Sequence, residues 1–301
     1  MTMRLARSLN ASQVAALARM FSARVVQDIA RTGKSALLGR LVAEAPIVES
    51  LSPNDPIRNL FEVAFSILRF RHYRNEYTYK AAITKKILLG RYSMRTSVML
   101  TEFRVGDRKA DMVILNGSSA SFEIKSERDK LDKLPEQIDA YLKVFSNANV
   151  VASEHHVDSV LGLVPREVGV LILTDRFQIS TIRRGVDDPK RINPSILFES
   201  LRLLESRKIL KLLGHNLPRV PNTQERALLY DRFRQLRPQQ AHKCMLAVLK
   251  STRSMSSLSH LVEELPMPLQ ALCISTPLRK QDHSRLLATL DAPMRRVFSW
   301  A

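Results

Sequence analysis

The sequence predicts a mixed α/β fold, a small sheet of parallel and antiparallel strands flanked by helices, with further helical regions before and after it. Three observations carry this expectation. Apolar residues recur at helical spacing through residues 10–45, 57–70 and 75–90. At residue 97 the period shortens to that of a strand, and short apolar runs continue to about residue 183 around a single helical stretch. Beyond residue 185 the helical pattern returns and persists to the end.

The elements follow in order. Val14, Leu17, Ala18, Phe21, Val25 and Ile29 share one helical face, and Thr32–Gly33 stops that helix before a second one carrying Leu37, Leu38 and Leu41. Pro53 and Pro56 mark a linker over 50–57, and the helix over 75–90 ends at Gly90. The first strand breaks at Gly106–Asp107. Ala110–Leu115 and Ser121–Ser126 are strands joined through Asn116–Gly117, a hairpin signal. A helix over 133–147 buries Leu134, Ile138, Leu142 and Phe145, with Pro135 tolerated in its first turn. Asn149–Ser153 and Val168–Thr174 read as buried strands, and Phe177–Arg183 as an edge strand. The pattern divides the chain into a helical segment (1–56), a mixed α/β core (57–184) and a basic helical module (185–301).

Composition narrows the function. The 301 residues are 45% hydrophobic with 9 glycines, which excludes collagen-like and low-complexity chains. No stretch reaches the ~18 uncharged apolar residues of a spanning helix, so no membrane partner is expected. The acid-free start with Arg4, Arg7, Arg19 and Arg24 has the composition of a transit peptide, but its helical pattern runs on through Asp28 and Arg31, as in an ordinary helix. Cys244 and Cys273 have no partner at metal spacing, which suits small buried thiols in a reducing cytoplasm. The net charge is +18, and residues 176–301 hold 22 basic against 10 acidic side chains. Such a field calls for a polyanion, with nucleic acid foremost.

The chemistry concentrates between Glu102 and Tyr141. In Ser121-Phe122-Glu123-Ile124-Lys125, residues two apart share a face, so Glu123 and Lys125 point one way while Phe122 and Ile124 point into the core. The hairpin sets Asp111 beside Glu123, and two acids and a lysine are expected to converge at a sheet edge. Two carboxylates with the Ile124 carbonyl between them suit Mg²⁺, a hard cation that keeps several waters. A lysine beside it orients or deprotonates an attacking water and stabilises charge on a phosphate. The same residues also fit a salt-bridge ladder across a hairpin.

Asp111 and Glu123-Ile124-Lys125, in this strand–turn–strand context, resemble the PD-(D/E)XK nuclease superfamily, whose fold is the restriction-endonuclease-like one. Gln137-Ile138-Asp139-Ala140-Tyr141 resembles the Q-x-x-x-Y signature of its RecB-like branch, on the helix after the E-x-K strand. Residues 71–180 are further similar to a small, largely uncharacterised bacterial family of nuclease-like proteins. The proline that gives the superfamily its name is replaced by Ala110. The resemblance implies a bacterial or phage-encoded, Mg²⁺- or Mn²⁺-dependent phosphodiesterase. Asp111, Glu123 and the Ile124 carbonyl would be metal ligands, Lys125 would assist the water, and Gln137 and Tyr141 would support the site. Glu76 or Glu102 would be the additional acid usual in that superfamily. DNA is the substrate expected. An RNA-cleaving enzyme of the same class and an inactive DNA-binding module are the alternatives, and the resemblance admits a homodimer.

The C-terminal third carries Arg202, Arg207, Lys208 and Lys211 on one helix and Arg232, Arg234 and Arg237 on another. Few aromatic residues accompany them, which favours contact with a phosphate backbone over base stacking.

Overall fold

The computed structural model describes residues 9–45, 47 and 50–300. The chain forms two compact units interleaved in sequence: residues 1–91, 174–178 and 257–301 make the first, and residues 92–173 and 179–256 the second. The divisions read at 56/57 and 184/185 therefore mark changes of sequence pattern rather than the edges of these units.

The first unit is helical. Helices α1 (Ala11–Met20), α2 (Ala23–Thr32), α3 (Ala36–Glu44), α4 (Ile57–Leu68) and α5 (Glu76–Ile83, continued through a π turn to Arg91) are joined by the late helices Met267–Ser275 and His283–Leu290. A reciprocal cap opens α1, with Asn10 Oδ1 accepting from the Gln13 N–H and Gln13 Oε1 from the Asn10 N–H. Gly33, at φ +73°, closes α2 in the left-handed conformation. One helix over 10–32 is expected from the periodicity, and two are found. Phe21 stacks on Tyr77 at 5.1 Å and meets Phe61 and Phe65 edge-on, and this aromatic cluster turns the chain before extended Ser22.

The second unit is built on a six-stranded sheet in the order β1-β2-β3-β4-β5-β6, with strands Val98–Val105, Arg108–Leu115, Ser119–Lys125, Asn147–Ala152, Gly169–Leu173 and Ile179–Arg183. The first three strands are antiparallel, β3, β4 and β5 are parallel, and β6 returns antiparallel as the edge. The mixed α/β class expected from the sequence is the one observed. Helices α6 (Leu134–Leu142) and α7 (Val157–Leu163) serve the parallel strands, as crossovers must. Helices α8 (Pro194–Ser200), α9 (Leu203–Leu212), α10 (Asn222–Phe233) and α11 (Pro238–Thr252) extend the same apolar core through Phe198, Ile209, Phe233 and Met245. Among the described residues, no helix is long and apolar enough to cross a membrane.

A polar contact sits inside this core. Ser119 Oγ lies 2.9 Å from His242 Nε2, and His242 is 6% exposed. Burial lowers the His242 pKa below its ordinary 6.5, against a smaller opposing pull from Asp187. The unfolded chain therefore takes up this proton first as pH falls, so stability is complete above the ordinary value and declines below it. Urea unfolding at pH 7.5 and 5.5 is expected to show a lower midpoint at the acid pH. His242→Gln should flatten that dependence, while half-buried His156 and His283, lowered in the same direction, continue to contribute in both proteins.

Candidate metal and phosphodiester site

Three acids occupy one row across three neighbouring strands. β2 and β3 pair as far as Met112–Phe122, and the same register sets Asp111 opposite Glu123. Beyond that point the backbone ladder gives way to a side chain, since the Ile124 N–H donates to Asp111 Oδ2 at 2.7 Å. On the other side Thr101 pairs with Met112 and Phe103 with Ala110, which sets Glu102 opposite Asp111, with that one pair missing from the ladder. The core face changes phase there on both strands. It passes from Val98 and Leu100 to Phe103 and Val105 on β1, and from Ala110 to Val113 and Leu115 on β2. Both strands change phase together at this point, so the register between them is unbroken. Glu102 adopts φ +52°, a conformation costing an ordinary side chain of order 1 kcal/mol. Carboxylate oxygens of Glu102 and Asp111 lie within 4.8 Å of each other.

Glu123 and Lys125 differ from the expectation in two respects. Their strand is central in the sheet rather than at an edge, and the two side chains lie on the helix-covered face. The register pairs Glu123 with core residue Val150, whereas Phe122 and Ile124 are buried on the opposite face. Glu123 is 2% exposed and Lys125 7%. Charges this deep persist because they are paired and hydrogen-bonded. Lys125 Nζ donates to Glu123 Oε1 at 2.8 Å and to Gln137 Oε1 at 3.0 Å. The Tyr141 hydroxyl stands 2.9 Å from Glu123 Oε2 and 2.6 Å from the Lys109 carbonyl, with one proton to give. Burial, and then the Glu123 charge, raise the Tyr141 pKa strongly, so the phenol stays protonated. Gln137 and Tyr141 are one turn apart on α6, and that spacing delivers both to the acid–lysine pair.

Asp111, Glu123, Ile124, Lys125, Gln137, Tyr141 and Glu102 are therefore assembled on one sheet and its covering helix. Glu76 belongs to the first unit, where it heads α5, is exposed and pairs with Lys80 at 2.5 Å. The donor set around Asp111 is made of carboxylate and main-chain oxygens, the chemistry that suits Mg²⁺ or Mn²⁺ rather than a softer metal.

A cavity of about 660 Å³ adjoins Glu102, and Arg104, Arg202, Arg226 and Arg253 line it with Glu199. Arg253 is held by a two-pronged pair with buried Glu205, both contacts at 2.8 Å, and lies over the Phe103 ring. Arg104, Arg226 and Arg253 escape a reading by sequence because they come from β1, α10 and α11, and no local motif joins those elements. Part of the C-terminal charge is internally neutralised: Arg207 pairs with Glu225, and Arg234 with Asp231. Lys208, Lys211, Arg232 and Arg237 remain exposed.

Two stability tests follow. Glu123→Ala leaves the Lys125 ammonium buried without its partner and should cost about 3–5 kcal/mol in urea unfolding, against about 1 kcal/mol for Tyr141→Phe. Glu102→Gly should hold or raise the melting temperature, whereas Glu102→Val, a branched side chain at positive φ, should lower stability by about 1–3 kcal/mol.

Comparison with known proteins gives a family. Protein cII of Enterobacteria phage P4 is 36% identical over 64 residues, covering 21% of this chain and 24% of that protein. The chain thus matches about a quarter of that relative's length. A solved structure, the SPO1766 protein of unknown function from Silicibacter pomeroyi, aligns with 46% of this chain and 93% of its own at 18% identity. Its TM-score of 0.31 is too low to carry an argument. The family described as bacteriophage P4 protein cII matches residues 70–266, a span that contains the whole second unit and more than half of the chain. The chain belongs to the bacteriophage P4 protein cII family.

Proposed function

We propose that this protein is a metal-dependent phosphodiesterase of the PD-(D/E)XK type, cutting nucleic acid and most readily DNA. One observation carries the reading. Asp111, Glu123 and Lys125 meet at the end of β3 with Gln137 and Tyr141 of the following helix bound to them, in the order and on the elements that the superfamily resemblance requires. The charge of +18 supports a polyanionic substrate.

In this mechanism Mg²⁺ or Mn²⁺, when bound, supplies a water of lowered pKa and neutralises charge on the scissile phosphate. Asp111 and Glu123 would hold the ion with the Ile124 carbonyl. Glu102, beside Asp111, is the additional acid proposed from its own sheet, and Glu76 stays a proposal of the sequence. Each Glu123 oxygen is used once, by Lys125 or by Tyr141, and each retains a further lone pair. Lys125 spends two of its three N–H donors on Glu123 and Gln137, which fixes the direction of the third. That donor orients the attacking water or binds a phosphate oxygen as negative charge builds. Tyr141 keeps its proton and holds the Glu123 carboxylate in place.

A second reading, a nuclease-like fold that binds nucleic acid without cutting it, draws on the depth of the Glu123–Lys125 pair and its internal hydrogen bonds. Cleavage separates the two. The full chain is incubated with supercoiled plasmid, linear duplex, single-stranded DNA and RNA, with and without Mg²⁺ or Mn²⁺. Asp111→Asn, which keeps an acceptor for the Ile124 N–H, and Lys125→Met run alongside after their folding has been checked by cooperative urea unfolding. Metal-dependent cutting that falls by at least about 100-fold in both variants is the expected result, and the polymer cut names the substrate. Binding that is equal in wild type and both variants, with no polymer cut, overturns catalysis in favour of the second reading.

A further inference from the structure

The arginine-lined cavity beside Glu102 has a chemistry of its own. Four guanidinium groups reach it from four places in the second unit: Arg104 from β1, Arg202 from the cap of α9, Arg226 from α10 and Arg253 from the end of α11. Glu102 and Glu199 are the acids among its described lining residues. What the cavity can hold depends on which N–H groups the chain already uses and which still face solvent.

Arg253 is the fixed member. Its Nε and Nη2 are taken by Glu205, buried behind it, and its guanidinium lies 5.4 Å from the centre of the Phe103 ring, which leaves Nη1 for the cavity. Burial alone would raise the Glu205 pKa, yet the Arg253 hydrogen bonds, the Arg202 N–H and both guanidinium charges keep it below its ordinary value. Glu205 therefore stays ionised and Arg253 stays oriented. Arg226 lies 5.2 Å over the Phe198 ring and pairs with Glu199 through Nη2. The side chains of that pair are 54% and 47% exposed, so water screens it and a stronger anion displaces it at little cost. Among the described residues, Arg104 spends only Nε, on the Gly106 carbonyl at 2.9 Å, and the exposed Arg202 guanidinium makes no ion pair. Three of the four arginines are exposed, so their remaining donors are open to a ligand.

We propose that this cavity seats a backbone phosphate of a bound nucleic-acid strand, the phosphate flanking the one at Asp111. Arginine forks arriving from several directions match a phosphate, which offers several acceptor oxygens, better than a flat carboxylate. Glu102 joins the two places, since it lines the cavity and its carboxylate lies within 4.8 Å of that of Asp111. A strand that presents one phosphate to Asp111 thus brings a neighbouring one to the arginines. Such contacts fix the position of a strand and carry no choice of base. The lining agrees with this: its one described aromatic residue, Phe103, is buried beneath Arg253 and offers no face on which a base could stack. The inference rests on the nucleic-acid reading above, though not on cleavage.

Salt dependence tests it. Binding of the full chain to a labelled duplex and to a labelled single strand is followed by fluorescence anisotropy from about 50 to 200 mM salt, without divalent metal so that no strand is cut. Arg104→Gln and Arg226→Gln, both at exposed positions and both checked by cooperative urea unfolding, should each weaken binding about tenfold whatever the base sequence. Each should also reduce the slope of log affinity against log salt by about 1. Lys190→Gln removes the same charge at the other end of the sheet, where the Asp188 N–H donates to the Ser146 carbonyl just before β4, and should leave the slope unchanged. Slopes that keep the wild-type value in both arginine variants overturn the proposal, and so does an equal fall in Lys190→Gln, which would make the loss one of net charge. Failure of the cleavage reading looks different: no polymer is cut when metal is added, while the arginine variants still lose affinity and slope. Absence of any binding by the wild type overturns the proposal together with the nucleic-acid reading.

Discussion

The second unit depends on a buried charge pair. Glu123 and Lys125 sit at the end of a central strand, on the face where the neighbouring strands contribute Val113, Leu115 and Val150. Two ionised groups there are tolerable only because α6 lies over them in one register, with Gln137 and Tyr141 presented together. A shift of that helix by one residue would leave a buried charge without its hydrogen bonds. The pair therefore sets the position of α6, and α6 carries Ile138 and Tyr141 into the apolar core. Packing and polar chemistry are satisfied by the same placement.

Asp111 performs the corresponding task at the end of the β2–β3 ladder. Its carboxylate takes the Ile124 N–H that a strand neighbour would otherwise accept, so the strands separate without leaving that donor orphaned. The phase change at Glu102 and Asp111 alters which residues of both strands face the core on either side of it. The acids share a row because the register sets them opposite one another across neighbouring strands.

Much of this was legible in the sequence. Alternation over 110–115 and 121–126, with Asn116–Gly117 between them, located the hairpin, and the spacing of Gln137 and Tyr141 placed both on one helical face. The sheet-edge expectation failed because a strand with a Glu and a Lys two apart reads as half-exposed. The partners that let the pair be buried come from a helix whose docking is a tertiary event. The positive φ at Glu102 and the phase change it marks leave no trace in composition, since glutamate is an unusual residue for that conformation. The split of α1 from α2 at Phe21 was hidden for a similar reason, being set by aromatic rings from distant helices.

The interleaving of the two units has a consequence for how the chain is made. The second unit lies within residues 92–256 apart from one short excursion, so all its strands and helices are synthesised before the late helices Met267–Ser275 and His283–Leu290 of the first unit. The first unit must wait. Helix His283–Leu290 packs against α2, and the Arg285 guanidinium donates to the Ala30 carbonyl across 255 positions of sequence. Closing so long a loop is slow, and until it closes the apolar faces of α2 and α4 lack the partners that bury them. The N-terminal helices, synthesised first, are thus the last to be completed. In that interval they form the aggregation-prone part of the nascent chain.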